Sequence, residues 1–145
     1  MTENIRAKIL AEALREINRH GSDFHMDDLA RNLRISKRTL YENFSSKQEI
    51  IEQAIADFTD KIYAYHKRIV SDPAMTCEAK LIAYFDVPSD NWQVLSVRKT
   101  SDLLAKMPGT CERLQSRYKK DWLLLERLLD EAQETGEFKP FDKFL

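Results

Sequence analysis

The chain has 145 residues, 43% of them hydrophobic and 32% charged, which is enough to bury a core in one domain or in two small ones that share it. Its 23 Lys and Arg against 24 Asp and Glu give a formal net charge of −1, so overall charge neither requires nor excludes a polyanionic partner. Every apolar run is broken by charge within a few residues, which excludes a membrane span, and the start "MTENIRAKIL" lacks the zoning of a signal peptide, so a cytoplasmic location is expected.

With only three glycines and four prolines, and no sustained alternation of polar and apolar residues, the chain reads as all-α. Ile5, Ile9, Leu10, Ala13, Leu14 and Ile17 recur at helical spacing, with Thr2 expected to cap the start and Gly21 to close the end. After the turn "GSDF", Met26, Leu29, Ala30 and Leu33 predict a second helix of about two turns, with Asp27 and Asp28 at the end that suits acids. A third helix is predicted from Ser36, whose hydroxyl can cap it, burying Leu40 and Phe44. Ser46 followed by Glu49 is a capping-box pattern that opens a fourth, long helix with the stripe Ile51, Ile55, Phe58, Ile62, Tyr65 and Ile69, stopped at Pro73. "CEAKLIAYF" and "NWQVLSVRKTSDLLAKM" predict two further helices. A last one over 110–135 carries Cys111, Leu114, Tyr118, Trp122, Leu125, Leu129 and Ala132 as its apolar stripe and Gly136 as its stop signal.

Chemistry is sparse along most of this length. Cys77 and Cys111 lie far apart without a CxxC or a nearby histidine pair, so both are expected to be reduced packing residues. The histidines His20, His25 and His66 are scattered, which leaves no metal-ligand spacing, and there is no nucleophile with its base or glycine-rich phosphate loop. No cofactor, no metal and no enzymatic activity are expected.

Positive charge is concentrated in one place. From Arg31 to Lys47 there are five cations (Arg31, Arg34, Lys37, Arg38, Lys47) and one acid, Glu42. A lysine-arginine pair on a short helix is ordinarily a solvated face. Here it sits in "MDDLARNLRISKRTLYENF", where Leu29, Leu33, Ile35 and Leu40 are spaced to lock two helices into a helix-turn-helix, with the small Ala30 at their close approach. Such a unit leads into the DNA major groove with the first turn of its second helix, and Lys37 and Arg38 occupy that turn. A wheel anchored on Leu40 and Phe44 turns Arg38, Thr39 and Glu42 outward and leaves Lys37 and Tyr41 on the flank; Glu42 is the one acid there, able to pair with Arg38.

The run "ISKRTLYENFSSKQEI", preceded by "MDDLARNL", resembles the DNA-binding domain of the TetR family of bacterial transcriptional regulators over about residues 5 to 55. The resemblance implies a sequence-specific DNA-binding regulator, a repressor released from a palindromic operator in double-stranded DNA by an unknown small-molecule effector, and a homodimer in its full-length form. It places Lys37, Arg38 and Tyr41 at base-contacting positions and His25, Thr39, Asn43 and Lys47 at phosphate-contacting ones, and counts Ser36, the cap, among the DNA-binding residues as well. It also implies two domains, a helix-turn-helix domain over residues 1–46 and a helical effector-binding and dimerisation domain over residues 47–145, joined by the long helix. Tyr63, Tyr84, Phe85, Trp92 and Trp122 are the candidates to line the effector pocket. This chain departs from the family at the tight turn, where Arg34 stands in place of the usual glycine, and at "GSDF", which is one residue short. It also departs at His25, in place of a capping threonine or serine. The chain ends short of the family's last two helices, so the regulatory domain is expected to be C-terminally truncated. That shortfall keeps an alternative open, a truncated helical interaction module that pairs with another regulator and does not bind DNA by itself.

Overall fold

A computed structural model describes residues 4–87 and 97–142. Among the described residues there are seven α-helices and no strand: α1 (Ile5–His20), α2 (Met26–Leu33), α3 (Lys37–Asn43), α4 (Lys47–Val70), α5 (Cys77–Phe85), α6 (Val97–Ala105) and α7 (Pro108–Glu134), with a 3-10 turn at Gly21–Asp23. None of these helices is long and apolar enough to cross a membrane.

The helix ends follow local chemistry. Asn4, rather than Thr2, which lies outside the described residues, caps α1 by accepting from the Arg6 amide at 3.0 Å. Gly21 ends α1 at φ 63 and ψ −136, a conformation open to glycine alone. Ser36 accepts from Thr39 N at 3.0 Å, and Ser46 accepts from Glu49 N at 3.1 Å. The return half of the predicted capping box shifts by one residue: the Glu49 carboxylate takes the amide and hydroxyl of Ser45, at 2.5 and 2.6 Å. Those two Ser45 bonds hold Glu49 below the usual carboxylate range. Pro108 starts α7, where its missing N–H costs nothing.

The chain divides into two compact units. The first comprises Met1–Phe58 and Ser89–Leu114. Its core joins Ile9, Ala13 and Ile17 of α1, Leu29 and Ala30 of α2, Leu40 of α3 with the adjoining Phe44, and Ile50, Ala54 and Ile55 of α4, to which α6 adds Leu103 and α7 adds Leu114. Polar pairing supplements this core: Asn32 of α2 donates to the buried Glu12 and Glu16 of α1 at 3.2 and 3.1 Å, and Arg15 and Arg19 neutralise the same carboxylates. Glu52 on α4 accepts from Gln48, Thr110 and Arg113. Burial alone would push its pKa up, but these donors outweigh it and leave the carboxyl lowered.

The second unit comprises Thr59–Pro88 and Gln115–Leu145. Cys77, Leu128 and Ala132 form its apolar cluster, with Val70, Leu81 and Phe138 packed against it. Beside it lies a polar group that hydrophobic spacing does not reveal. His66 of α4 is buried, with Nδ1 2.7 Å from Asp121 Oδ1 and Nε2 2.9 Å from the Tyr84 carbonyl, and its ring is stacked 3.7 Å from that of Tyr84. A further contact reaches back from the far end of the chain: the Glu137 carboxylate accepts from the amides of Cys77 and Glu78, at 3.1 and 3.2 Å, and so caps α5 together with Thr76.

Two sequence expectations need correction. Cys77 is buried, and burial pushes its thiol pKa up, but Cys111 is exposed and does not pack. On α7 the buried apolar residues are Leu114, Leu124, Leu125, Leu128 and Ala132, whereas Cys111, Tyr118 and Trp122 are exposed. At about 100° per residue, strict three-four spacing still lets Trp122 fall roughly 80° from Leu114, off the flank of the buried face.

Candidate nucleic-acid interface

The helix-turn-helix is built from α2, a tight turn and α3. The turn depends on Arg34, which sits in the left-handed region at φ 56 and ψ 40. That conformation lets Ile35 N reach the Ala30 carbonyl at 3.0 Å and Arg34 N the Arg31 carbonyl at 3.1 Å, closing α2 in a Schellman arrangement. The chain then turns into Ser36, which caps α3. Leu29 and Leu40 are both 0% exposed and fix the two helices against each other.

With Leu40 inward, the other face of α3 is determined. Lys37, Arg38 and Tyr41 are exposed, as are Ser36 at the cap and His25 at the start of α2, while Thr39 and Asn43 are half-buried. None of these seven predicted residues is buried. Their polar contacts are local. Ser36 Oγ and Thr39 Oγ1 are 2.9 Å apart, and Asn43 Nδ2 donates to the Thr39 carbonyl at 2.8 Å. The His25 side chain makes no capping hydrogen bond.

Each leading cation has an acidic neighbour. Lys37 Nζ lies 2.9 Å from Asp27 Oδ1, and Arg38 Nε donates to Glu42 Oε1 at 2.9 Å. Hydrogen bonding to Lys37 lowers the Asp27 pKa and the same contact raises that of Lys37. The Arg38 side chain is 88% exposed, and solvent-exposed pairs of this kind are weak, so either cation can exchange its carboxylate for another anion at little cost.

Lys47, the eighth predicted residue, is placed differently. Its ammonium donates to the backbone carbonyls of Ser22 and Phe24 and lies 4.5 Å from the centre of the Phe24 ring. Burial pushes its pKa down, with Asp23 acting in the opposite direction. Arg6, which the sequence reading did not single out, is held in a similar way: it donates to the Asn43 carbonyl and, at 3.0 Å, to Gln53 Oε1, with its guanidinium 4.2 Å from the Phe44 ring centre. Its position in the first turn of α1 carries no signal distinguishing it from a surface cation.

Four of the aromatic candidates for an effector pocket, Tyr63, Tyr84, Phe85 and Trp122, belong to the second unit, and of these Tyr63 alone lines the cavity found there. Tyr63 lines a cavity of about 340 Å³ with Thr59, Asp60, Ser116, Arg117 and Lys120. Tyr84 is buried, and its hydroxyl donates to Asp121 Oδ2 at 2.8 Å; burial above all pushes that hydroxyl's pKa up. Phe85 is 71% exposed, and Trp122 is 53% exposed with its indole N–H bonded to Glu126. Trp92 lies outside the described residues. Across the cavity Arg117 Nε donates to Asp60 Oδ1 at 3.1 Å, and Lys120 Nζ lies 4.5 Å from the Tyr63 ring centre.

Comparisons with known proteins agree with the helix-turn-helix geometry. Residues 9–54 match the family model described as bacterial regulatory proteins, tetR family. The chain is 27% identical over 132 residues to YvaF, an HTH-type transcriptional regulator of Bacillus subtilis, covering 91% of this chain and 70% of that protein. It is 25% identical over 117 residues to the HTH-type transcriptional repressor KstR2 of Mycobacterium tuberculosis, covering 78% of this chain but 58% of the relative. Its fold is similar to that of a TetR transcriptional regulator from Legionella pneumophila, with a TM-score of 0.71 at 26% identity over 96% of this chain and 77% of that one.

Proposed function

We propose that the chain, whose residues 9–54 match the tetR family model and whose fold is similar to that of a TetR regulator, is a TetR-family repressor that reads a palindromic operator through α3. The observation that carries the reading is the division of labour on that helix. Leu40 is fully buried, and the N-terminal turn leaves Lys37 and Arg38 exposed at the end that a helix-turn-helix inserts into the major groove, with Tyr41 exposed one turn further on. Lys37 and Arg38 have the donor geometry for guanine edges, and Tyr41 adds an aromatic surface. His25, Ser36, Thr39 and Asn43 flank them as phosphate and sugar contacts. Palindromic half-sites follow from pairing of two copies, with the cytoplasm as the place of action.

Release from DNA is assigned to a small effector bound in the second unit. The cavity there is lined by the hydroxyls of Thr59 and Ser116, the Tyr63 ring, Arg117 paired with Asp60, and Lys120, a mixed lining suited to a small polar molecule. Such a ligand acts by favouring a conformation with lower DNA affinity, without chemistry.

Selection of duplexes from a random-sequence pool by the purified protein tests the reading. The selected sites are expected to be inverted repeats bound with strong salt dependence. Arg38→Ala is expected to relax preference at one position in each half-site by about 1–3 kcal/mol. Recovery of no enriched sequence, or unchanged preference in Arg38→Ala, refutes α3 as the reading element.

A further inference from the structure

We infer that Arg6 and Lys47 are positioning residues, two internal cationic braces that hold the short α3 helix at the angle from which it reads DNA. The inference rests on the reading of α3 given above, and it withdraws Lys47 from the set whose main role is phosphate contact.

The need for bracing comes from length. Helix α3 has seven residues, too few to be stable by its own hydrogen bonds, so its direction is set by what grips it. Capping by Ser36 fixes its beginning. At its other end the last carbonyls have no intrahelical donor, and the chain leaves in an extended conformation at Phe44, φ −139 and ψ 135. Arg6 meets that end. One guanidinium nitrogen donates to the Asn43 carbonyl and another to Gln53 Oε1, so a single planar group joins α1, the end of α3 and α4.

Lys47 repeats the arrangement across the same unit. As the first residue of α4, it sends its ammonium back to the carbonyls of Ser22 and Phe24, in the connection between α1 and α2. The two sites share their construction: a cation donates to backbone carbonyl oxygens while lying over the ring of a phenylalanine that is 1% exposed, Phe44 in one case and Phe24 in the other. Arg6 fixes where α3 ends, and Lys47 fixes where α4 begins, four residues after Asn43. Between them they determine the segment that sets the exit direction of α3. With two of its three N–H groups directed at carbonyls, Lys47 faces mainly inward.

The test separates positioning from both phosphate contact and general stability. Arg6→Gln and Lys47→Met remove the charged donors, and Arg6→Lys keeps the charge without the fork. Amide hydrogen exchange in the DNA-free protein is read first, well below each variant's melting temperature. Exchange at Leu40 and Phe44 is expected to quicken by about ten-fold or more, the size of a lost charge-assisted hydrogen bond, while Ile9 to Ile17 of α1 stay protected. Affinity for a duplex selected by the wild-type protein is then compared with that for a random-sequence duplex of equal length, across a salt series. The braces predict that the selected-to-random ratio falls by a similar factor in Arg6→Gln and Lys47→Met and less in Arg6→Lys, with an unchanged salt slope. Unchanged exchange in α3 overturns the inference even if no duplex is selected, the outcome that would sink the DNA reading itself. A salt slope lower by about 0.9 with an unaltered ratio also overturns it, since that marks a lost phosphate contact. Should Arg6→Gln fail to fold, Arg6→Lys and Lys47→Met carry the same readouts.

Discussion

Replacing Arg34 with glycine tests whether the turn that aims α3 is held under backbone strain. At φ 56 and ψ 40 an L-residue pays about 1–2 kcal/mol, because its Cβ crowds the backbone. Glycine does not pay this, but it has more freedom to lose on folding, about 0.5–1 kcal/mol. The hydrogen bonds that close α2 run through backbone groups only, Ile35 N to Ala30 O and Arg34 N to Arg31 O, so the substitution leaves them intact. The net expectation for Arg34→Gly is a gain of about 0.5–1 kcal/mol, or a rise of roughly 1.5–3 °C in the melting temperature followed by circular dichroism. Arg34→Ala is the control. It removes the same exposed side chain but keeps a Cβ in the left-handed region, so it is expected to melt close to the wild type. The difference between glycine and alanine isolates the backbone term. If Arg34→Gly melted at or below Arg34→Ala, the argument that this turn is strained would be refuted.

Two further outcomes concern the second unit. The bonds from the Cys77 and Glu78 amides outweigh desolvation and keep Glu137 below the usual carboxylate range, the Cys77 amide contributing most. A depressed pKa means that its contribution to stability is complete above the unfolded value, about 4.3, and is lost as pH falls through the lower folded value. The stability difference between wild type and Glu137→Gln, from paired melts, should therefore be largest near neutral pH and shrink in acid; a difference independent of pH contradicts the cap. For the cysteines, a thiol reagent should label Cys111 in the native protein and reach Cys77 only on unfolding, because the latter is 3% exposed and its thiol pKa is raised by burial. Equal labelling rates at both positions would contradict the packing around Cys77.

The sequence by itself determined the elements and the outward face of α3. Helical spacing, Ser36 and Ser46 as caps, and Gly21 as a stop are local signals, each decided within a turn or two of chain, which is why they are legible without a fold. The same locality explains why the positions of Leu40 and Phe44 alone put Arg38 and Glu42 outward, whereas Thr39, expected outward, is half-buried and Lys37 and Tyr41, expected on the flank, are exposed. What only the tertiary structure decided are contacts between residues far apart in sequence. Arg6 joins Asn43 and Gln53, and Lys47 turns back to Ser22 and Phe24; Glu137 caps α5, and His66 is buried against Asp121 and Tyr84. A charged side chain reads as surface in any local pattern, and its burial against carbonyl oxygens or another helix's amides depends on which backbone groups the fold leaves without a partner. Packing likewise selected Leu124 and Leu128 over Tyr118 and Trp122 on α7, because a helix with apolar residues on more than one flank can bury only the flank its neighbours cover.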